Sequence, residues 1–249
     1  MTWFTLTCRS VPVTMAALVL GACGGGGGDS PTASTPLTGT NPATTFPLAT
    51  AMVNFLKQAN STPFTISGTG SGNGQVIDFT GSGTSVEVNS SGTFNGQAAV
   101  VKNTTVSGTL QARGQSAPFT QSTAQFYDAN YKPLGSSGPG SYCVSSAQTA
   151  LPATARIGDS GPYYTIACYT SSTRATLLET GVVTYALASS AETTAIFKLT
   201  SKVTTAAGVT ASFTGNYVVS TSGVLRPTET PLLGLSSGGI TVDAVLKFL

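Results

Sequence analysis

The segment that decides the fold is Ile240-Thr241-Val242-Asp243-Ala244-Val245-Leu246-Lys247-Phe248. In this segment Ile240, Val242, Ala244, Leu246 and Phe248 recur at a period of two, which is the pattern of a β-strand with one buried face. Short runs rich in Val, Ile, Thr, Phe and Tyr fill the chain from Pro63 onward, and Gly, Ser and Asn separate them. This repetition of strand and turn signals predicts an all-β body.

About eleven strands are predicted, in two sets on either side of a Pro- and Gly-rich loop at Lys132–Tyr142. Ala206–Gly208 and Ser220–Gly223 have the composition of hairpin turns. Mostly short connections favour an antiparallel meander that closes into a barrel or forms a sandwich. The candidate strands are Phe64–Gly68, Gln75–Thr80, Ser85–Asn89, Ala98–Lys102, Thr105–Ala112, Phe119–Tyr127, Tyr163–Tyr169, Thr176–Ala188, Thr194–Thr204, Val209–Val219 and Ile240–Phe248.

One short N-terminal helix is predicted at about 46–59. Its apolar residues fall at helical spacing, and Pro47 suits a first turn. Helices that lie on a membrane surface carry several Lys and Arg on the polar face, whereas this helix has a single lysine, Lys57. We therefore expect the helix to cover a β core. The apolar face consists of Leu48, Ala51, Met52, Phe55, Leu56 and Ala59.

The composition excludes several classes of function. The chain has 249 residues, of which 40% are apolar and only 8% charged, with a net charge of +2. Thr (41) and Ser (29) dominate, and there is no histidine. Without a cluster of Lys and Arg the sequence does not favour nucleic-acid binding, and without histidine no imidazole base or ligand is available.

The first residues have the organisation of a secretory signal. One charge, Arg9, precedes the apolar run Val11–Leu20, and small residues follow it. Leu20-Gly21-Ala22-Cys23 resembles the lipobox of bacterial lipoproteins, and the Gly24–Gly28 run is similar to the tether of many such proteins. The resemblance implies removal of a signal peptide (1–22) and lipidation of Cys23, with palmitate among the acyl groups.

The same resemblance predicts where the protein resides. Gly24, in place of the Asp that marks inner-membrane retention in that family, favours a lipid-anchored position at the outer membrane. Residues 23–45 are small and polar and are expected to form a disordered tether, with a root-mean-square reach of roughly 25 Å. The β body then spans 46–249, and two sub-halves, about 60–140 and 160–249, are a further option.

Two cysteines are left once Cys8 leaves with the signal and Cys23 takes lipid. In the oxidising exported compartment, Cys143 and Cys168 are predicted to form a disulfide. The bond would close a segment that contains the Pro- and Gly-rich stretch Pro152–Pro162. A zinc site, which needs four ligands, is the disfavoured alternative because no histidine exists.

No catalytic residues are assigned. Gly158-Asp159-Ser160-Gly161-Pro162 is similar to the serine motif of chymotrypsin-like proteases, but it lacks one Gly and no histidine can take the proton of Ser160. The carboxylates are scattered singly, so a catalytic pair is disfavoured. They are Asp29, Asp78, Glu87, Asp128, Asp159, Glu179, Glu192, Glu229 and Asp243.

The sequence therefore predicts a non-enzymatic envelope lipoprotein with a binding or structural role. It has no cofactor or metal, is attached to the membrane through lipid, and has a protein or glycan as the possible partner. One alternative is a lipocalin-like carrier of a small apolar ligand, with Phe46–Ala59 as a lid and an internal cavity of about 300–1,000 Å³. The other is a glycosidase with two carboxylates about 5–10 Å apart. A membrane-spanning barrel, whose strands turn an apolar face to lipid, is the least favoured fold alternative.

Overall fold

The computed structural model describes residues 9–10, 44–72, 75–112, 114–233, 235–236 and 241–249. These residues form one helix, α1 (Leu48–Lys57), and sixteen strands. The strands are β1 (Arg9–Ser10), β2 (Thr45–Phe46), β3 (Asn60–Gly72), β4 (Gln75–Phe94), β5 (Gln97–Ala112), β6 (Gln115–Tyr127), β7 (Pro133–Gly138), β8 (Ser141–Ser146), β9 (Ala155–Arg156), β10 (Ser160–Tyr169), β11 (Leu177–Ala191), β12 (Thr194–Thr205), β13 (Thr210–Ser220), β14 (Leu225–Leu233), β15 (Leu235–Ser236) and β16 (Thr241–Phe248).

Twelve strands form a closed barrel in the order β3-β4-β5-β6-β7-β8-β10-β11-β12-β13-β14-β16, and the first of them, β3, pairs with the last, β16, to close it. Each pair is antiparallel, and most neighbours are consecutive in sequence. The predicted all-β class with one short helix is confirmed, and the barrel is the alternative that forms. Strands from both predicted sub-halves contribute to this one barrel. Two further two-stranded sheets pair β1 with β15 and β2 with β9.

Alternation along the strands separates the inside of the barrel from the outside. In β12 the buried positions are Ala195, Phe197, Leu199, Ser201 and Val203, and the residues between them are more exposed. The inward side chains form two apolar clusters. The larger cluster joins α1 to residues of β10–β14, and the smaller one contains Phe64, Ile66, Phe79 and Leu246.

Helix α1 covers the end of the barrel at which β3 begins. Its buried residues, Leu48, Ala51, Met52, Phe55 and Leu56, belong to the predicted apolar face, whereas Lys57 in the last turn is exposed. Pro47 precedes the first turn, and Phe46 belongs to β2 rather than to the helix. The predicted tether ended at residue 45, but Thr45 pairs with Arg156 in this small sheet.

Several predicted strands are parts of longer ones. Gln75–Thr80 and Ser85–Asn89 both lie in β4, and Ala98–Lys102 and Thr105–Ala112 both lie in β5. Gly81, Ser82 and Gly83, which separate the two predicted segments of β4, have turn composition. They nevertheless continue the strand, and Gly83 faces Gly108 of β5 in the ladder. A Cβ on Gly83 would lie 2.7 Å from Phe64 Cζ, so glycine leaves space for this buried ring.

The predicted loop at Lys132–Tyr142 is wrong. Residues Pro133–Gly138 form β7, and Ser141 and Tyr142 begin β8, with a turn at 139–140 between them. Pro and Gly mark turns in a sequence, but here Pro133 opens a strand, a position at which proline is tolerated. Besides β7 and β8, the barrel strand β14, Leu225–Leu233, was not predicted, and it contains two prolines. The predicted turns at Ala206–Gly208 and Ser220–Gly223 are confirmed.

Candidate functional site

The most polar part of the barrel interior is an ion pair between β4 and β5. Lys102 Nζ lies 3.0 Å from Glu87 Oε2, and the two side chains are 3% and 5% exposed. Asn60 Nδ2 donates to the same carboxylate oxygen at 3.2 Å. Taking two charges out of water costs several kcal/mol per ion, so their mutual contact and hydrogen bonds offset a large desolvation cost.

The ion pair also holds the C-terminal end of α1. Lys102 Nζ donates to Gln58 O at 2.8 Å and lies 5.2 Å from the centre of the Phe55 ring. Asn89 Nδ2 donates to the carbonyls of Leu56 (3.1 Å) and Lys57 (2.8 Å). The last carbonyls of a helix lack partners within it, and cations near them are favourable. The barrel wall therefore supplies the cap that the sequence of the helix lacks.

A small cavity of about 30 Å³ lies between the helix and this polar group. Its walls include Gln125, whose Oε1 accepts a hydrogen bond from the Tyr127 hydroxyl, and whose Nε2 has no partner among the described residues. This volume fits one or two water molecules. The lipocalin-like alternative needs a chamber at least tenfold larger, and no such chamber is preformed between these residues.

The helix is part of the core and not a loosely seated lid. Phe46, Leu48, Met52, Phe55 and Leu56 are each no more than 8% exposed. Burial of a large apolar side chain contributes about 2 kcal/mol, so exposing all five would cost on the order of 10 kcal/mol. A cost of this size is comparable to the total stability of an ordinary domain.

Four buried tyrosines line the same interior: Tyr127, Tyr163, Tyr164 and Tyr217. Burial raises the pKa of Tyr127, Tyr164 and Tyr217 well above the ordinary value, and it raises the pKa of Tyr163 to about 12. Their hydroxyls are therefore neutral at physiological pH. They are hydrogen-bonding groups and not bases in this environment.

The predicted disulfide is present. Cys143 and Cys168 are directly opposite each other on β8 and β10, and their sulfurs are bonded. Both residues are at most 2% exposed. The bond therefore links β8 and β10, the two barrel strands on either side of the segment that contains β9.

The other carboxylates have separate positions. Asp128 and Asp159 accept backbone hydrogen bonds within their own loops, and Glu229 lies 3.6 Å from Lys247 on the surface. Glu179 is 8% exposed on β11, and burial raises its pKa above the ordinary value. None of these contacts places two carboxyl groups together, which gives the glycosidase alternative no support among the described side chains. Ser160, from the protease-like motif, begins β10.

The tip of the β4–β5 hairpin folds against the outside of the barrel. The Phe94 ring lies between the rings of Phe126 (4.7 Å between centres) and Tyr142 (5.0 Å). A Cβ on Gly135 would overlap Phe94, so glycine in β7 makes room for the ring. The Tyr142 hydroxyl donates a hydrogen bond to Asn95 Oδ1. Burial raises the pKa of Tyr142, and the nearby Arg174 partly offsets this rise.

The sequence analysis missed the buried ion pair, and the local pattern points away from it. In Ser85-Val86-Glu87-Val88-Asn89 the valines would be expected to face the core, but Val86 and Val88 are 39% and 48% exposed while Glu87 is buried. The pairing of β4 with both neighbours, which places Glu87 opposite Thr104 of β5 and Asn60 of β3, sets this orientation.

The anchor residues lie outside the described part of the chain, since both Cys8 and Cys23 belong to residues that the structure does not describe. Within the described ranges, no helix is both long and apolar enough to cross a bilayer. In the same ranges, no three His, Cys, Asp or Glu side chains gather as a metal site would require. No family model matches the chain, and comparisons with curated proteins and with solved structures likewise found no match.

Proposed function

We propose that the chain is a lipid-anchored protein of the bacterial envelope, whose barrel has a binding or structural role at the outer membrane and no enzymatic activity. The observation that carries this proposal is the Leu20–Cys23 lipobox with its Gly-rich continuation. The described body begins at residue 44, so about twenty residues separate it from the proposed lipid. Arg9 and Ser10 lie in the proposed signal, so the pairing of β1 with β15 would belong to the precursor only.

The outside of the barrel supports a body that stands in water. Outward-facing hydroxyls pair across neighbouring strands, as in Thr105–Ser122 (3.0 Å) and Thr200–Thr214 (2.8 Å). Such pairs stabilise a solvated sheet face. Strands that face lipid carry an apolar outer band instead. The small size of the cavity beneath α1, about 30 Å³, further favours recognition on the outer surface over transport of a ligand inside.

Metabolic labelling with a palmitate analogue tests the anchor. Wild-type protein and Cys8→Ala, the matched control in the same N-terminal segment, should take up label, and Cys23→Ala should not. Equal labelling of the Cys23→Ala variant would overturn the proposed anchor. The mass of the mature N-terminus gives a second readout, because cleavage before Cys23 removes 22 residues.

Separation of the two bacterial membranes tests the location. Wild-type protein should be found with the outer membrane, and Gly24→Asp should move it to the inner membrane, because an acidic residue after the lipidated cysteine marks retention in the family it resembles. Gly25→Asp, one position further along the same Gly run, is the matched control and should not move it. Recovery of wild-type protein from the inner membrane would contradict the outer-membrane position while leaving the lipid anchor intact.

A further inference from the structure

A continuous row of buried residues crosses six neighbouring strands on the inside of the barrel, from β5 to β11. Each member lies directly opposite the next in the strand register, and none is more than 8% exposed. The row begins at the buried ion pair, passes through the disulfide and ends at a carboxyl group. Its members are Lys102, Gln125, Ser136, Cys143, Cys168 and Glu179.

The carboxyl group of Glu179 lies beside the disulfide. Glu179 is opposite Cys168 of β10 on one side and Thr205 of β12 on the other, and Thr205 does not titrate. Directly opposite residues have Cβ atoms about 4.5–5.5 Å apart, which brings the carboxyl group within reach of Cys168 Sγ. The Glu179 side chain forms no ion pair or hydrogen bond with another described residue. Burial raises its pKa, and no charged group of the described chain contributes to the rise.

The two sulfurs of the bond are held by strands of different strength. β8, which carries Cys143, has six residues and pairs with β7 at four positions and with β10 at five. β10, which carries Cys168, also pairs with β11 at nine positions. Weakly held elements open locally more often than the rest of a fold. Opening of β8 therefore exposes Cys143 first, while Cys168 stays beside Glu179.

We propose that the Cys143–Cys168 bond is a reversible redox switch, which a small dithiol reduces while Glu179 donates a proton to the departing sulfur of Cys168. A thiolate of the dithiol attacks Cys143 Sγ, the S–S bond breaks, and Cys168 Sγ leaves with the bonding electrons and takes the carboxyl proton. The second thiol of the dithiol then gives its proton to water, attacks the mixed disulfide at the dithiol's own sulfur and releases Cys143, which takes a proton from water. The dithiol is thereby oxidised to a cyclic disulfide, the protein bond is reduced to two thiols, and Glu179 regains its proton from water.

The segment that this bond closes covers the start of α1. Ala49 N donates to Pro152 O at 3.2 Å, and Phe46 pairs with Ala155. Both Phe46 and Ala155 are at most 1% exposed. Reduction removes the covalent closure of the segment, so its contacts with β2 and with the first turn of the helix should loosen.

The test uses the full chain carrying Cys8→Ala and Cys23→Ala, in which Cys143 and Cys168 are the only cysteines. The rate of reduction by dithiothreitol is measured from about pH 5 to about pH 8.5 and divided by the fraction of the reagent present as thiolate. This corrected rate constant should fall at least about tenfold as the pH rises through the folded-state pKa of Glu179, because a carboxylate has no proton to donate and repels the departing thiolate. Glu179→Gln should show no such fall. Glu192→Gln, at an exposed turn between β11 and β12, is the matched control and should keep it.

A purely structural role of Glu179 would give the opposite trend. Because burial raises its pKa, ionisation destabilises the fold, so β8 would open more often and the bond would be reduced faster at high pH. A corrected rate constant that rises with pH, stays level, or falls equally in Glu179→Gln would overturn the proposal.

Hydrogen exchange provides the second readout of the switch. After reduction the amides of residues 45–51 and 153–156 should exchange faster, whereas those of residues 196–204 in β12 should keep their rates. Equal exchange of residues 45–51 before and after reduction would show that the bond does not control the start of the helix, and it would overturn the switch.

Discussion

Lys102 Nζ and Glu87 Oε2 are 3.0 Å apart inside the barrel, and the same ammonium group binds the carbonyl of Gln58 at the end of α1. One lysine thus joins β5, β4 and the helix through charge-assisted hydrogen bonds. The contact that neutralises a buried carboxylate is also the contact that caps the helix. Loss of this lysine should therefore affect both the barrel interior and the position of the helix.

The first prediction concerns this lysine. Lys102→Met should lower the free energy of unfolding by about 3–5 kcal/mol, because Glu87 would stay buried without its counter-ion. The double variant Glu87→Leu/Lys102→Met should be more stable than Lys102→Met, since no unpaired charge is left. Urea unfolding followed by circular dichroism measures both values.

The surface pair provides the matched control. Lys247 lies 3.6 Å from Glu229, with both side chains at least 44% exposed. Lys247→Met should change stability by less than about 1 kcal/mol, as exposed ion pairs contribute little. Equal losses for Lys102→Met and Lys247→Met would contradict the buried role of the first.

The sequence predicted the general fold because that fold depends on local patterns. Residues close together in the sequence are enough to predict the period-two alternation, the apolar face of α1 and the two turns before Val209 and Val224. The cysteine pair followed from the compartment that the N-terminal resemblance implies. The full lengths of β4 and β5 did not follow, because Gly81 and Gly83 have turn composition and continue β4 only through their pairing with β3 and β5.

The polar interior was not predictable for the same reason. Glu87 is inward because of its register against β5, and its two flanking valines are outward. Alternation predicts that a strand has two faces, but it does not decide which face is buried when the sheet closes on itself.

The second prediction is that removing the buried carboxyl group of Glu179 stabilises the fold, and that the gain depends on pH. Burial raises the pKa of Glu179, so the folded state binds this proton more tightly than the unfolded state. The contribution of Glu179 to the free energy of unfolding is therefore highest below its pKa in the unfolded state. This contribution is lost as the pH rises through its pKa in the folded state. Glu179→Gln should be more stable than wild type at pH 7, by more than the ~0.5 kcal/mol typical of surface substitutions.

At about pH 3.5, below the unfolded pKa of a glutamate, the same variant and wild type should be equally stable, because both side chains are then neutral. Denaturant midpoints at the two pH values measure the difference. Glu192→Gln, at an exposed turn position, is the control and should change neither midpoint. A difference between Glu179→Gln and wild type that is the same at both pH values would show that ionisation is not its cause.

The third prediction tests the glycine contact between the two barrel strands and the smaller core cluster. In Gly83→Ala, the new methyl group would meet the backbone oxygen of Ser107 first, and it would also lie 2.7 Å from Phe64 Cζ and 2.8 Å from Gly108 Cα. Because Phe64 is 1% exposed and cannot move into solvent, we expect a loss of about 1–3 kcal/mol from overpacking. Thermal unfolding of the single variants and of Gly83→Ala/Phe64→Leu forms a double-mutant cycle. If the Phe64 ring is the obstacle, Gly83→Ala will destabilise the Phe64→Leu variant less than it destabilises wild type. Strictly additive losses would exclude this contact as the cause.

The fourth prediction concerns the disulfide between β8 and β10. β8 is held by five residue pairs to β10 and four to β7, so it has little ladder of its own. Cys143 and Cys168 are separated by 25 positions, and a bond that closes such a segment stabilises by about 3 kcal/mol in the chain-entropy model. Cys143→Ala/Cys168→Ala should therefore unfold at lower denaturant, and its amides at 142–146 and 165–169 should exchange hydrogen faster. Reductant should shift the denaturant midpoint of wild type to a similar value and leave the midpoint of the variant unchanged. Coincident midpoints of oxidised wild type and variant would mean that strand pairing alone holds β8 against β10.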